Sequence, residues 1–175
     1  MPATIRSLLS GGDRRSVGRV AEVVDLVRRR PREASGVVDC LYDKDSCVCM
    51  RAADALEKIS RDPAISLQSH KAQLMNLLTE TTQQELRWHL AVVLPRLPLT
   101  NSECRLVAKT LESYLEDRSS IVKTFAMQGL ADLTNQNPSS RLGVIDLIRS
   151  LVRTGTPAMR ARGRKLLQNL EQDHD

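Results

Sequence analysis

Aromatic residues are almost missing from this chain of 175 residues: they make up 2%, as Tyr42, Trp88, Tyr114 and Phe125. A core must therefore be assembled from Leu, Val, Ala and Ile, which suits closely stacked helices. Stacking recognition of exposed bases needs aromatic platforms, and few are present. Long apolar runs are missing too. No stretch approaches the ~20 apolar residues of a membrane span. The opening MPATIRSLLSGGDRR has no long apolar run behind a basic start, so it does not read as a secretory signal. Nothing alternates with period two for long enough to make a strand. The cysteines, Cys40, Cys47, Cys49 and Cys104, supply no disulfide framework in a chain with this much core. These absences predict an all-α cytoplasmic protein with no membrane partner.

What is present fits a globular chain, with 41% hydrophobic and 27% charged residues. The net charge is +5 and it is unevenly placed. Arg6, Arg14, Arg15, Arg19, Arg28, Arg29, Arg30 and Arg32 face only Asp13, Glu22, Asp25 and Glu33 in the first 35 residues, so that segment carries +4 of the total. A basic end attracts nucleic acid, anionic membrane or an acidic protein, and it is also what a solvated helix end looks like.

The strongest signal is an internal repeat. In SCVCMRAADALEKIS, Ser46 to Ser60, the small or apolar residues Val48, Ala52, Ala53, Ala55, Leu56 and Ile59 form one broad helical face, with Asp45 and Ser46 in front as cap candidates. The pattern recurs in LRWHLAVVLPRL from Leu86, VKTFAMQGLADL from Val122, MRARGRKLLQNL from Met159 and SVGRVAEVVDLV from Ser16. The starts at 16, 48, 86, 122 and 159 give steps of 32, 38, 36 and 37. Another apolar helical segment precedes each: Ile5 to Leu9, Ala34 to Leu41, Leu74 to Leu78, Leu106 to Leu115 and Leu142 to Val152. Pro31, Pro63, Pro98 and Pro138 punctuate the units, and Thr156-Pro157 reads as a cap followed by the first helical residue. Asn101-Ser102 and Ser139-Ser140 read as further caps. The expectation is a single repeat domain of five helix pairs, with units of roughly 1–30, 31–62, 63–97, 98–137 and 138–175. Small residues at the sixth repeat position (Ala21, Ala53 and Ala91, with Met127 in their register), and Gly163 one place earlier in the last unit, let helices approach closely.

The segment VCMRAADALEKI resembles the second helix of a HEAT repeat, and the likeness extends over nearly the whole chain. In that family an Asp in the turn is followed six residues later by a basic residue, and the pairs form a ladder between units. Here Asp13 with Arg19 and Asp45 with Arg51 match, whereas Gln83 with His89, Ser119 with Phe125 and Thr156 with Arg162 depart from it. The first helices also lack the internal proline of many HEAT units. The resemblance implies an α-α superhelix of short HEAT-like or armadillo-like repeats, and it implies little about function, because the shared residues are structural.

No constellation points to catalysis or a cofactor. Cys47 and Cys49 on one helix point about 200° apart, which is poor for one tetrahedral ion. His70, His89 and His174 have no Ser or Cys spaced to use them as a base. SGGDRRS is not a phosphate-binding loop. The reading is therefore of a non-enzyme without cofactor or metal. Both ends read as finished, a short first helix and the polar tail EQDHD, which predicts a complete small protein.

On the helical wheel, positions 3, 7 and 10 of each second helix point away from the apolar face. They are Gly18, Glu22 and Asp25; Met50, Asp54 and Glu57; Trp88, Val92 and Pro95; Thr124, Gln128 and Ala131; the last helix adds Ala161 and Gln168, with Arg164 one place before position 7. By the HEAT resemblance these line a concave groove. The groove begins acidic and turns apolar at Trp88, a residue type favoured as an interface anchor. Arg87, Lys123 and Arg160 flank it at position 2. The leading expectation is a protein-binding adaptor or scaffold whose candidate contact residues are Met50, Asp54, Glu57, Trp88, Val92, Arg87, Lys123 and Arg160. The alternative is a nucleic-acid-binding HEAT-like protein, with a relative of the alkylated-base DNA glycosylases or of the chromophore lyases behind it.

Overall fold

The computed structural model describes residues 4–12 and 16–172. Among them it is all-α, with helices α1 (Ile5–Leu9), α2 (Val20–Arg29), α3 (Ala34–Cys40), α4 (Ser46–Ile59), α5 (Lys71–Glu80), α6 (Gln84–Val93), α7 (Asn101–Tyr114), α8 (Ser120–Leu133), α9 (Arg141–Thr154) and α10 (Pro157–Gln172). The helices fall into two compact units, Met1–Val93 and Leu94–Asp175. In the first, α1 packs on α2 and α3, α3 on α4, and α5 on α6, while α4 lies between α2 and α6. In the second, α7 packs on α8 and α9 on α10, and α8 also touches α9 and α10.

Local chemistry sets the boundaries. Asp45 caps α4, its carboxylate accepting the Cys47 N–H at 2.8 Å. Thr156 caps α10 by accepting the Met159 N–H at 3.3 Å, with Pro157 as the first helical residue. At α7 the cap is Thr100, not Asn101 or Ser102. Thr100 accepts from the Glu103 N–H, and Glu103 accepts from the Thr100 N–H, a capping box one residue upstream of the expected site. Ser140 is not a side-chain cap either, since its hydroxyl donates to the Asn137 carbonyl. Pro31 and Pro138 each open a short 3-10 turn that leads into the next helix. The second helix of the first pair begins at Val20 instead of Ser16, because Gly18 takes the left-handed conformation at φ +58°.

The core is mainly aliphatic. Val23, Val27, Leu56, Ile59, Leu74, Leu90, Leu111 and Ile148 are fully enclosed, each contributing roughly 1.5–3 kcal/mol by leaving water. Of the small residues expected at helix crossings, Ala53, Ala91 and Gly163 are buried, whereas Ala21 is exposed. At Gly163 the approach of α10 to α9 is close. A Cβ there would stand 2.5 Å from Val152 Cγ2, so α10 could not lie this close to α9 with a larger residue.

Two long polar side chains fix the irregular backbone. Arg51 on α4 is 1% exposed. Its Nε donates to the Ser16 carbonyl at 3.0 Å, and its Nη1 donates to those of Leu9 at 2.8 Å and Gly11 at 2.5 Å. The backbone at Leu9, Gly11 and Ser16 thus closes on the guanidinium, and the Asp45 carboxylate is engaged at its own helix cap. The pairing of Asp13 with Arg19 lies outside the described residues, because Asp13 is not among them. Gln136, just after α8, does the corresponding job in the second unit. Its Oε1 accepts the Leu99 N–H at 2.9 Å, and its Nε2 donates to Pro95 O at 2.8 Å and Leu97 O at 3.0 Å.

Candidate functional site

The face expected to point outward behaves differently at outer and inner helices. On α2, Glu22 and Asp25 are exposed, and on α10 Ala161, Arg164 and Gln168 are exposed. Inner helices have neighbours on both flanks, so part of the same face is covered. Val92 is 3% exposed and Glu57 7%, and Pro95, Thr124 and Ala131 are also buried. Val92 and Glu57 therefore do not meet the expectation of outward contact residues. The wheel treats a helix as having one buried side, and α4 packs against α2, α3 and α6 at once. Glu57 is moreover engaged at both oxygens by Arg61, at 2.9 and 2.8 Å.

Met50, Asp54 and Trp88 remain partly exposed on the packed helices α4 and α6. Asp54 pairs with Lys58 at 2.5 Å and faces His89 Nε2 at 3.9 Å. Burial pushes the Asp54 carboxyl up, but the facing His89 ring and Lys58 ammonium outweigh it, and the group titrates below its ordinary value. Its stabilising contribution is present above the ordinary carboxylate range and is lost as pH falls through that lowered value. His89 is 2% exposed. The ring Nδ1 lies 2.7 Å from the Glu85 carbonyl, which can only accept, so Nδ1 carries the hydrogen. Its Nε2 has no hydrogen-bond partner. Trp88 lies against this ring, centroids 3.3 Å apart and planes at 27°. The wheel alone would not bring His89 here, because it occupies the position at which the HEAT resemblance calls for a ladder cation.

Of the flanking cations, Arg87 Nε donates to the Thr81 carbonyl at 2.9 Å and so holds the turn before its own helix. Lys123 is half-buried on α8 and Arg160 is exposed on α10. Three arginines of the basic start are held in internal pairs. Arg6 binds Asp43 at 2.6 Å, Arg19 binds Glu22 at 2.7 Å, and Arg28 lies 3.6 Å from both Asp25 and Asp62.

A polar relay runs along α8 and α10 that the sequence reading missed. Arg162 lies 5.7 Å from the Phe125 ring centroid and donates to Gln128 Oε1 at 2.8 Å. Gln128 Nε2 in turn donates to Asp132 at 2.8 Å. Burial raises the Asp132 carboxyl above its ordinary value despite Gln128, Arg96 and Arg162. The fold therefore favours the neutral acid, and ionised Asp132 costs stability at neutral pH. Asp132→Asn is expected to stabilise the protein at neutral pH, with a gain that shrinks as pH falls through the raised value and both forms become neutral. Urea midpoints at neutral and acid pH check this; an equal gain at both would refute it.

Two thiols, Cys40 and Cys49, are pushed away from ionisation. Cys40 is pushed up to about 11, first by burial and then by Asp43 and Asp39. Cys49 is raised by burial, and it donates to the Asp43 carbonyl at 2.9 Å. Among the described residues, no group of three or more His, Cys, Asp or Glu is placed to hold a metal. No described helix is long and apolar enough to cross a membrane.

No family model matches the chain, and no curated protein matches it. A solved structure does: the crystal structure of an engineered protein, a target of the Northeast Structural Genomics Consortium, with TM-score 0.65 and 19% identity over 96% of this chain and 78% of that one. At that identity the likeness is one of fold.

Proposed function

We propose that the protein is a non-enzymatic binding module built from HEAT-like helix pairs, acting as an adaptor or scaffold for another protein. The observation that supports this is the surface around Trp88. A large amphipathic side chain is left partly exposed beside the buried His89 and its partly exposed neighbour Asp54, and Met50 is partly exposed on the adjoining α4. Tryptophan supplies much contact area at small entropic cost, which is why it recurs as an anchor.

Trp88→Ala is expected to weaken capture of a specific partner from the protein's own cell extract by tenfold or more, as loss of about 2 kcal/mol at an anchor requires. Undiminished capture sinks the placement at Trp88. The nucleic-acid reading is tested separately with generic duplex DNA. Binding that falls steeply with salt would favour it over the adaptor reading.

A further inference from the structure

The second unit carries a groove that the Trp88 surface does not explain. It runs between α7 and α9, with a volume of about 750 Å³. Buried Leu130 and Leu133 of α8 form its floor, and Val144, Leu147 and Leu151 form the α9 wall. On that wall Gly143 is exposed, and a Cβ placed there would meet nothing within 4 Å. The α7 wall is rimmed by Arg105, Lys109 and Glu112, about one turn apart, with Glu116 in the turn just past the helix end, all exposed. None of these four side chains takes part in an ion pair or side-chain hydrogen bond among the described residues. The groove between α2 and α4 differs here, since its rim residues Asp25, Arg28, Lys58, Arg61 and Asp62 are paired internally.

We propose that the α7–α9 groove seats an amphipathic helix of about three turns from a partner protein, running parallel to α7, acidic in its first half and basic in its second. The rim carries the orientation. Arg105 and Lys109 flank the N-terminal half of the groove and call for carboxylates, while Glu112 and Glu116 flank the C-terminal half and call for Lys or Arg. Residues 105 to 116 span about 16 Å along the helix axis, which sets the length of the occupant. An acidic start and a basic end are also what a free helix favours by its own dipole. The parallel orientation therefore satisfies occupant and rim together. An antiparallel one would need a helix with both ends mismatched to its dipole. A second copy of this chain does not supply the occupant. Among its described helices α2 has the acidic first turn and basic last turn, and its apolar face, Val20, Val23, Val24 and Val27, is buried in its own unit. This inference does not rest on the Trp88 surface.

The test uses two synthetic helical peptides of identical composition and apolar face. One has Glu in the first half and Lys in the second; the other has the halves exchanged. Titration into the full chain is expected to give about tenfold tighter binding of the first, since several exposed pairs change sign together. The double variant Arg105→Glu with Lys109→Glu, altered only at exposed positions, is expected to remove that preference. Gly143→Phe fills the groove from an open helix surface and is expected to weaken the first peptide at least tenfold while Asp54 and Trp88 stay untouched. Equal affinity for the two peptides, no saturable binding of either, or a preference that survives the double variant overturns the proposal. So does a concentration-dependent dimer that Gly143→Phe dissolves, which would make the occupant a second copy.

Discussion

Arg51→Met is expected to destabilise the protein by about 2–4 kcal/mol, the order for leaving one buried and two partly buried carbonyls without their charged donor. The carbonyls of Leu9, Gly11 and Ser16 lose the donor that draws them together, while the methylene stem keeps its packing. Such a loss is a large fraction of the stability of a small protein. Arg51→Lys does not rescue it, because a single ammonium cannot reproduce a planar fork that reaches three carbonyls. The neighbouring backbone is built to the same group. Gly18 sits at φ +58°, and a Cβ there would lie 3.0 Å from Arg51 Cζ. Urea unfolding reads the effect as a lower midpoint at unchanged slope. Amide exchange is expected to accelerate first in α1. A shift below about 1 kcal/mol, the size of an ordinary surface change, would mean that the loop is held by something else.

Gln136→Leu is the second large effect, expected at about 1–3 kcal/mol. It leaves the Leu99 N–H and the Pro95 and Leu97 carbonyls without their shared partner. The cost is smaller than at Arg51 for two reasons. The amide is neutral, and Gln136 is only half-buried, so water replaces part of what is lost. Gln136→Glu separates the roles. Its carboxylate keeps the bond from the Leu99 N–H but cannot donate to the two carbonyls, so the stability loss should be similar to that of leucine. If Gln136→Glu behaves as wild type, the two carbonyl contacts contribute nothing.

These two residues show where one-dimensional reading stops. The apolar register marks where α2, α4, α6, α8 and α10 lie, although α2 begins four residues later than its register, because burying one broad face requires small and aliphatic residues at helical spacing. Asp45 and Thr156-Pro157 were legible as helix starts for the same local reason, namely orphan N–H groups next to an oxygen acceptor. Arg51 also stood out, but as the basic member of a ladder. Its bonds to Leu9, Gly11 and Ser16 span 42, 40 and 35 positions, and no local pattern encodes them. Gln136 gave no signal, since its partners lie in an irregular segment 37 to 41 residues back.

The contact face divides in the same way. Met50, Asp54 and Trp88 stay partly exposed where the wheel places them, whereas Val92 and Glu57 are covered. A wheel knows the direction of a side chain and not the number of neighbours around its helix. Likewise the Asp54–His89 approach and the Arg162–Gln128–Asp132 relay each join two helices whose separation and rotation are set by packing.

By itself the sequence determined an all-α chain of repeated apolar helices, because periodicity and capping act within a few residues and need no partner. Only the tertiary structure decided which polar groups are buried, which charges are already paired, and that the charged rim of the α7–α9 groove has no side-chain partner among the described residues. Those properties depend on which distant segments meet, and helix spacing is fixed jointly by every side chain at the crossing, down to the missing Cβ of Gly163.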